Sequence, residues 1–309
     1  MSQYSLSPWP QRWAILSLIV TILLTIGIGG VITSTEVGMA YPTWPDINGG
    51  SLFDFFYGSL AEQFGIGSTI EHTHRQAGTL SGLAIMALVA ACFFSRGTTS
   101  AHKKMSLIVF GLVVAQGLLG AFRVLANSYG GAIIHAVGAQ LVIVSIVIII
   151  KMTARNQSSI PNNSAMSRLQ LWSFIGIIVL FLNLVTAAAL RHKEGAFSGH
   201  LILAILAAAV LGFVVRHALI HFRDIHAIRQ SARRLLTLLG LQLGLGLGTW
   251  SYLLGPLQGT ILEGQSRFLL ESSLATTHLL FGVLVLAQLT ALWMDARASN
   301  HSNAAAKEL

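Results

Sequence analysis

The sequence predicts an all-α membrane protein: eight transmembrane helices forming two pseudo-symmetric four-helix bundles, with both termini cytoplasmic. Three observations carry this. The chain of 309 residues is 54% hydrophobic and only 10% charged, with a mean hydropathy of +0.70, whereas a soluble domain carries about 25% charged residues. Eight apolar runs each approach the roughly 20 residues that a helix needs to cross a bilayer. Lys and Arg collect in alternate connections, which is the topology signal of an inner or plasma membrane protein. The net charge of +8 and pI near 10.2 follow from those connections, so they point to anionic lipid and not to nucleic acid.

The expected spans are 13–33, 71–95, 105–125, 132–152, 169–190, 200–220, 235–254 and 272–294. The first follows a short polar N-terminus and is too long for a signal-peptide core, so it reads as a retained span. Arg12 precedes it. Arg96, Lys103 and Lys104 lie between spans two and three, Lys151, Arg155 and Arg168 between four and five, and Arg216, Arg223, Arg229, Arg233 and Arg234 between six and seven. Arg297 and Lys307 follow the last span. All belong to one side, which is therefore cytoplasmic. Arg75, Arg123, Arg191, Lys193 and Arg267 fall near the opposite, outer surface. The polar stretch 156–168 (NQSSIPNNSAMSR) reads as a cytoplasmic linker between an N-terminal half, 1–155, and a C-terminal half, 169–309.

The halves resemble each other. Span three holds Gln116-Gly117-Leu118-Leu119-Gly120 and span seven holds Gln242-Leu243-Gly244-Leu245-Gly246. Spans four and eight each open with His and then Gly: His135 with Gly138, His278 with Gly282. This is the pattern of a duplicated four-helix unit. The glycines allow close helix approach or make room for a flat ligand. The longest outer connection, about 34–70, has the length of a functional loop. Within it Leu52, Phe53, Phe56, Tyr57 and Leu60 form either one face of an interfacial helix or an aromatic belt segment. The single cysteine, Cys92, lies in an apolar run and reads as a buried, inert thiol.

Four histidines, His74, His135, His200 and His278, stand near the outer ends of spans two, four, six and eight. All four therefore share one depth. A lone intramembrane His is commonly a structural hydrogen-bonding group. Four at equivalent positions of a duplicated unit fit better as two pairs of axial ligands to haem iron. Zinc is a weaker option, because further Cys or carboxylate ligands are missing beside most of them. His72 is the alternative to His74, although a helix turns it roughly 200° away from that face. His102, His192, His217, His221, His226 and His301 fall in connections or the tail and read as solvated.

The halves differ in one respect. Glu71-His72-Thr73-His74-Arg75 places a carboxylate one turn before His74, on the same helix face. Ala132, Phe197 and Ala275 occupy the corresponding places before the other three histidines. Glu71 is either a helix-terminal acid paired with Arg75 or an acid–base group aimed into one cavity. Glu271 lies two turns before His278 and reads as interfacial. One haem site with an acid beside it can do chemistry; the other can hold a permanent redox haem.

With these residues the chain resembles the haem A synthase family. The resemblance rests on Glu71-x-x-His74-Arg75, on the loop from Thr33 to Pro45 with Gly38 and Trp44-Pro45, on Gln116 with its glycines, and on His135, His200 and His278. It runs through all eight spans. It implies a multi-pass protein of a bacterial cell membrane that oxidises the C8 methyl of haem O to a formyl group, giving haem A for a terminal oxidase. It implies haem O as substrate on His74 and His135, haem b as cofactor on His200 and His278, and Glu71 at the reacting methyl. Arg75, Arg123, Lys193 and Arg267, with Arg191, are candidate propionate contacts. Implied partners are an electron donor or acceptor, a haem O synthase and oxidase assembly proteins; an oligomer is compatible. The outer-loop cysteine pairs of some members are missing: Ala40 or Tyr41 and Asp46 or Ile47 stand there, so no thiol relay is available.

Two other readings fit the same residues. A dihaem electron-transfer subunit would hold both haems permanently, and it has no need of Glu71 beside one haem alone. A haem or quinone transporter would break its helices near the midplane, whereas the histidines lie near the outer surface.

Overall fold

The computed structural model describes residues 6–38, 40–46, 50–53, 57–154, 163–258 and 264–305. Nine helices account for most of them, and no strand occurs among the described residues. They are α1 (Trp9–Ser34), α2 (Tyr57–Phe64), α3 (Ile66–Phe94), α4 (Ser100–Leu125), α5 (Tyr129–Met152), α6 (Ser164–Arg191), α7 (Phe197–His221), α8 (His226–Leu253) and α9 (Gly264–Ala305). Seven of these are long and apolar enough to cross a membrane. The eighth long helix, α8, has its first two turns charged and its apolar stretch diluted by Gly240, Gly244, Gly246, Gly248 and Gln242.

Side chains such as Leu23, Phe94, Ile134, Ile202 and Leu247 are exposed around the outside of the helices. An apolar exterior over helices whose backbone bonds are internally satisfied is what a bilayer requires. The chain is thus a multi-pass helical membrane protein. Helix starts are set by local chemistry. Ser128 and Asn163 accept from Gly131 and Met166 backbone N–H groups at the openings of α5 and α6, as N-caps do. Thr99 and His102 form a reciprocal capping box on α4.

Packing follows the chain order. Helices α1, α3, α4 and α5 contact one another in sequence and α1 also meets α5; α6, α7, α8 and α9 do likewise, with α6 meeting α9. One apolar cluster sits in the first group around Ile85, Leu88, Val109 and Ile146. Another sits in the second group around Leu169, Leu211, Leu235 and Leu289. A third, with Ile22, Ile143, Val147 and Val283, joins α1, α5 and α9. At one end of that seam Lys151 Nζ donates to both oxygens of Asp295 at 2.7 and 2.8 Å.

Several expectations need correction. The stretch 156–168 lies outside the described residues up to position 162, and from Ser164 it is already helix α6. The short outer helix is Tyr57–Phe64; Leu52 and Phe53 precede it in a turn, and Phe56 lies outside the described residues. Cys92 is buried, as expected. Helix α1 contains a π-helical turn at Thr21–Ile26, a feature common beside functional sites that nothing in TILLTI announces.

Candidate functional site

His74 on α3 and His135 on α5 face each other across a cavity of about 280 Å³ that is also lined by Glu71, Arg75, Gln116 and Arg123. A second cavity of about 120 Å³ touches the same two histidines and Arg123, and extends to Arg191, His192 and Leu279. The smaller cavity thus reaches helices α6 and α9. His72 lines neither cavity; it is fully buried, with Nε2 2.9 Å from Gln76 Nε2.

The other two histidines also meet. The ring centroids of His200 and His278 are 6.4 Å apart and their planes are nearly perpendicular, at 85°. One metal atom bonded to a nitrogen of each ring at about 2 Å fits that separation. Nδ1 of His74, His200 and His278 is buried without a hydrogen-bond partner, whereas buried polar atoms are ordinarily satisfied. No group of three or more His, Cys, Asp or Glu converges among the described residues. That donor set suits a macrocycle that brings four nitrogens of its own and needs only two axial imidazoles, and not a bare tetrahedral ion.

Each ring is held in a similar way by the preceding helix. The ring of His74 lies over Gly29, where a Cβ would come within 2.9 Å of Cε1; His278 lies over Gly246 at the same distance, and His135 over Gly120 at 3.2 Å. Four residues before each glycine a backbone group makes a polar contact with the same ring: Thr25 with His74, Gln116 with His135 and Gln242 with His278. For His200 the contact comes from Asn183, with Ala187 four residues on. For His74, His200 and His278 it is electrostatic and lacks hydrogen-bond geometry at Nδ1. With its carboxamide turned so that both ends find partners, the side chain of Gln116 donates to the carbonyl of His135 at 2.9 Å and accepts from Ala139 N–H at 3.2 Å. A Cβ at Gly138 would collide with that carboxamide. Gln242 Nε2 comes 3.5 Å from His278 Nε2.

Glu71 pairs with Arg75 and also lines a cavity, but it lies more than one turn inside α3, which starts at Ile66, and so is not a helix-terminal acid. It is 4% exposed, it lines the larger cavity with His74, and its Oε1 accepts from Arg75 Nη2 at 2.8 Å. Its Oε2 accepts from the backbone N–H of Tyr41 at 3.2 Å. Arg75 also donates to the carbonyls of Thr43, Asp46 and Tyr41 at 2.9, 3.0 and 3.3 Å. Arg123 donates to the Gly38 carbonyl at 3.1 Å, and a Cβ at Gly38 would overlap its guanidinium.

The remaining candidates stand apart from the cavities. Lys193 pairs with Glu36 at 2.6 Å, both largely exposed, and that hydrogen bond holds its ammonium above the usual range. Arg267 pairs with Glu271 at 2.8 Å. Three histidines expected in solvent are not there. His102 caps α4 and reaches the Met152 carbonyl at 3.0 Å. His217 is buried, with Nε2 2.9 Å from the Ala165 carbonyl. His192 lines the smaller cavity; burial, then Arg123 and Arg191, push it below the ordinary imidazole range, so it is neutral at pH 7. His221 and His226 are exposed, and the side chain of His301 lies outside the described residues.

The fold and site thus define a multi-pass helical membrane protein with two interhelical imidazole pairs, one of them beside a buried carboxylate. Residues 11–200 match the COX15-CtaA family, described as cytochrome oxidase assembly protein, and the chain belongs to that family, the haem A synthase family. The matched stretch holds Glu71, His74 and His135 and ends at His200. Among curated relatives, a heme A synthase of Allorhizobium ampelinum is 28% identical over 156 residues, 46% of this chain and 41% of that protein. One of Staphylococcus epidermidis is 26% identical over 196 residues, 60% of this chain and 61% of that protein. One of Brucella suis is 29% identical over 115 residues, 36% of this chain and 32% of that protein. The chain spans about two fifths to three fifths of the length of the first two.

Proposed function

We propose that this protein is a haem A synthase of a bacterial cell membrane. It would oxidise the C8 methyl of haem O to a formyl group and so supply haem A to a terminal oxidase. In this reading all eight long helices span, in two related halves with both termini cytoplasmic. His74 and His135 hold the substrate haem, and His200 and His278 hold haem b. The observation that carries the reading is the placement of Glu71 in one cavity with His74 and His135, while Phe197 and Ala275 stand at the equivalent positions of the second pair.

The residues have separable tasks. The four imidazoles would hold the two macrocycles, His74 and His135 the substrate and His200 and His278 haem b, which when bound would supply one-electron chemistry. Glu71 lies in a water-poor space where a carboxylate acts strongly on developing positive charge and accepts a proton. Arg75 and the Tyr41 N–H hold that carboxylate in place. Written with water as the oxygen donor, the methyl and two waters would give a gem-diol with release of four protons and four electrons, the electrons passing in two pairs to an external acceptor, and the gem-diol would lose one water to leave the aldehyde.

The test is pigment extraction from purified protein with chromatographic identification of haems B, O and A. Wild type should yield haem A when haem O is available. Glu71→Ala should still bind haem and accumulate haem O with haem A lowered at least about 100-fold, the order expected for loss of one acid–base group. Normal haem A output from that variant would remove Glu71 from the chemistry, and a wild type that carries haem B alone in both sites would favour an electron-transfer subunit.

A further inference from the structure

The smaller cavity sits between the halves and is unusual in its charge. Arg123 from α4 and Arg191 from α6 both line it, together with His74, His135 and His192, and no Asp or Glu does. The ion pairs among the described residues engage Arg75, Lys151, Lys193, Arg223 and Arg267, and leave out these two arginines. Their partners are neutral. Arg191 Nη2 donates to the Gly30 carbonyl at 2.9 Å and Ser34 Oγ at 2.8 Å, and Nη1 to the Ala275 carbonyl at 3.4 Å. Arg123 donates to the Gly38 carbonyl alone. A guanidinium has five N–H donors, so two remain on Arg191 and four on Arg123. The Glu71 carboxylate acts on Arg123 without a direct ion pair, and no carboxylate acts on Arg191; part-buried cations that lack a paired anion are costly, and a planar N–H fork is the donor that matches a carboxylate in two bonds.

Building on the haem-oxidase reading above, we infer that Arg123 and Arg191 form a carboxylate clamp, one arm from each half, for the two propionates of the substrate macrocycle. Arg123 lines both cavities and so stands between the Glu71 side and the Arg191 side. In haem O the methyl that is oxidised shares its pyrrole ring with one propionate. A propionate held by Arg123 therefore turns that methyl toward the Glu71 cavity, and the propionate of the neighbouring ring reaches Arg191. The clamp restricts the methyls that can meet Glu71 to the two that share a pyrrole ring with a propionate. It also leaves Lys193 and Arg267 to their own carboxylates, and Arg75 to Glu71 and the loop. The substrate site of the first half is incomplete without α6.

The experiment titrates iron protoporphyrin IX, and separately its dimethyl ester, into the purified full-length protein and follows the bis-imidazole absorption band. A His74→Ala, His135→Ala variant identifies the signal that belongs to this site. The diacid should bind at least about 10-fold more tightly than the diester to wild type. Arg123→Gln and Arg191→Gln should each narrow that ratio, with the diester affinity unchanged, and Arg191→Lys should restore part of it. Equal binding of diacid and diester by wild type overturns the clamp without any variant being made, as does an Arg191→Gln protein that keeps the full ratio. If added porphyrin gives no signal that depends on His74 and His135, the functional reading itself fails; if the signal is present but blind to esterification, the clamp alone fails.

Discussion

Arg75 shows how a residue named by spacing acquires its task from the backbone around it. Four places after Glu71, it was expected either to pair with that acid or to meet a propionate. The pairing is real, but three of its bonds go to carbonyls of Tyr41, Thr43 and Asp46, and its guanidinium lies 5.6 Å from the Tyr41 ring centroid. Glu71 takes the Tyr41 N–H from the other side. The two motif residues therefore fasten residues 41–46 against the cavity, which Trp44 lines. The i, i+4 pair was legible in the sequence; the carbonyls were not, because every residue carries one and no side-chain pattern marks which will be used. Arg75→Gln leaves the Glu71 carboxylate buried without its cation, a loss of about 3–5 kcal/mol, and frees the loop. Faster proteolysis of the outer loop and a lower melting temperature are the expected results, with Arg75→Lys less affected because it keeps the charge but not the fork. A variant as resistant and as stable as wild type would show that the clasp does not hold the loop.

At the scale of helices, the recurring unit is a pair in which one helix offers a ring and the other a glycine one turn beyond a backbone contact. The sequence displayed this unit in part. Gln116 with Gly120 and Gln242 with Gly246 stood out as a repeat, and the histidines facing them as another. Thr25 with Gly29 did not, because it lacks the glutamine that marks the other two, and Asn183 lacks the glycine altogether. Helix starts were less legible: α4, α5 and α6 begin at Ser100, Tyr129 and Ser164, ahead of the spans expected from 105, 132 and 169, because capping residues set them and not the apolar runs. The start of α8 at His226 and the depth of His102, His192 and His217 were missed, because a polar residue can be buried on a neighbouring carbonyl as readily as solvated. Gly246→Val tests the unit. A side chain there starts 2.9 Å from the His278 ring and must push it aside, with a strain of about 1–3 kcal/mol. The low-spin haem signal assigned to His200 and His278 should fall or broaden, while the His74 and His135 site keeps its porphyrin affinity. An unchanged spectrum would mean that the ring does not need the close approach.

Across the whole molecule the two halves are neither independent nor fused. The shared cluster of α1, α5 and α9 joins them, Lys151 and Asp295 pin one end, and Arg191 reaches from α6 to α1 and α9 at the other. The repeated histidines and glycines suggested a duplication. The contacts across the seam were not, because apolar faces all round these helices give no sign of which one meets a neighbour. Between the two His pairs the wall is thin and is made by two adjacent residues of α1. Gly29 touches the His74 ring, and Gly30 faces Thr276 and Leu279, next to His278, where a Cβ would come within 3.0 and 3.1 Å of their side chains. Gly30 also accepts from Arg191. A change at this one residue should therefore be felt on both sides. If His278 is an axial ligand, as proposed, His278→Ala should abolish a low-spin haem signal of the second half alone, leaving porphyrin binding by His74 and His135 in place. Gly30→Val, which touches no histidine, should displace α9 and weaken haem retention in both halves, read as total haem per protein and as the two spectral components. If Gly30→Val instead affects one component only, the wall does not couple the sites, and the halves hold their macrocycles separately.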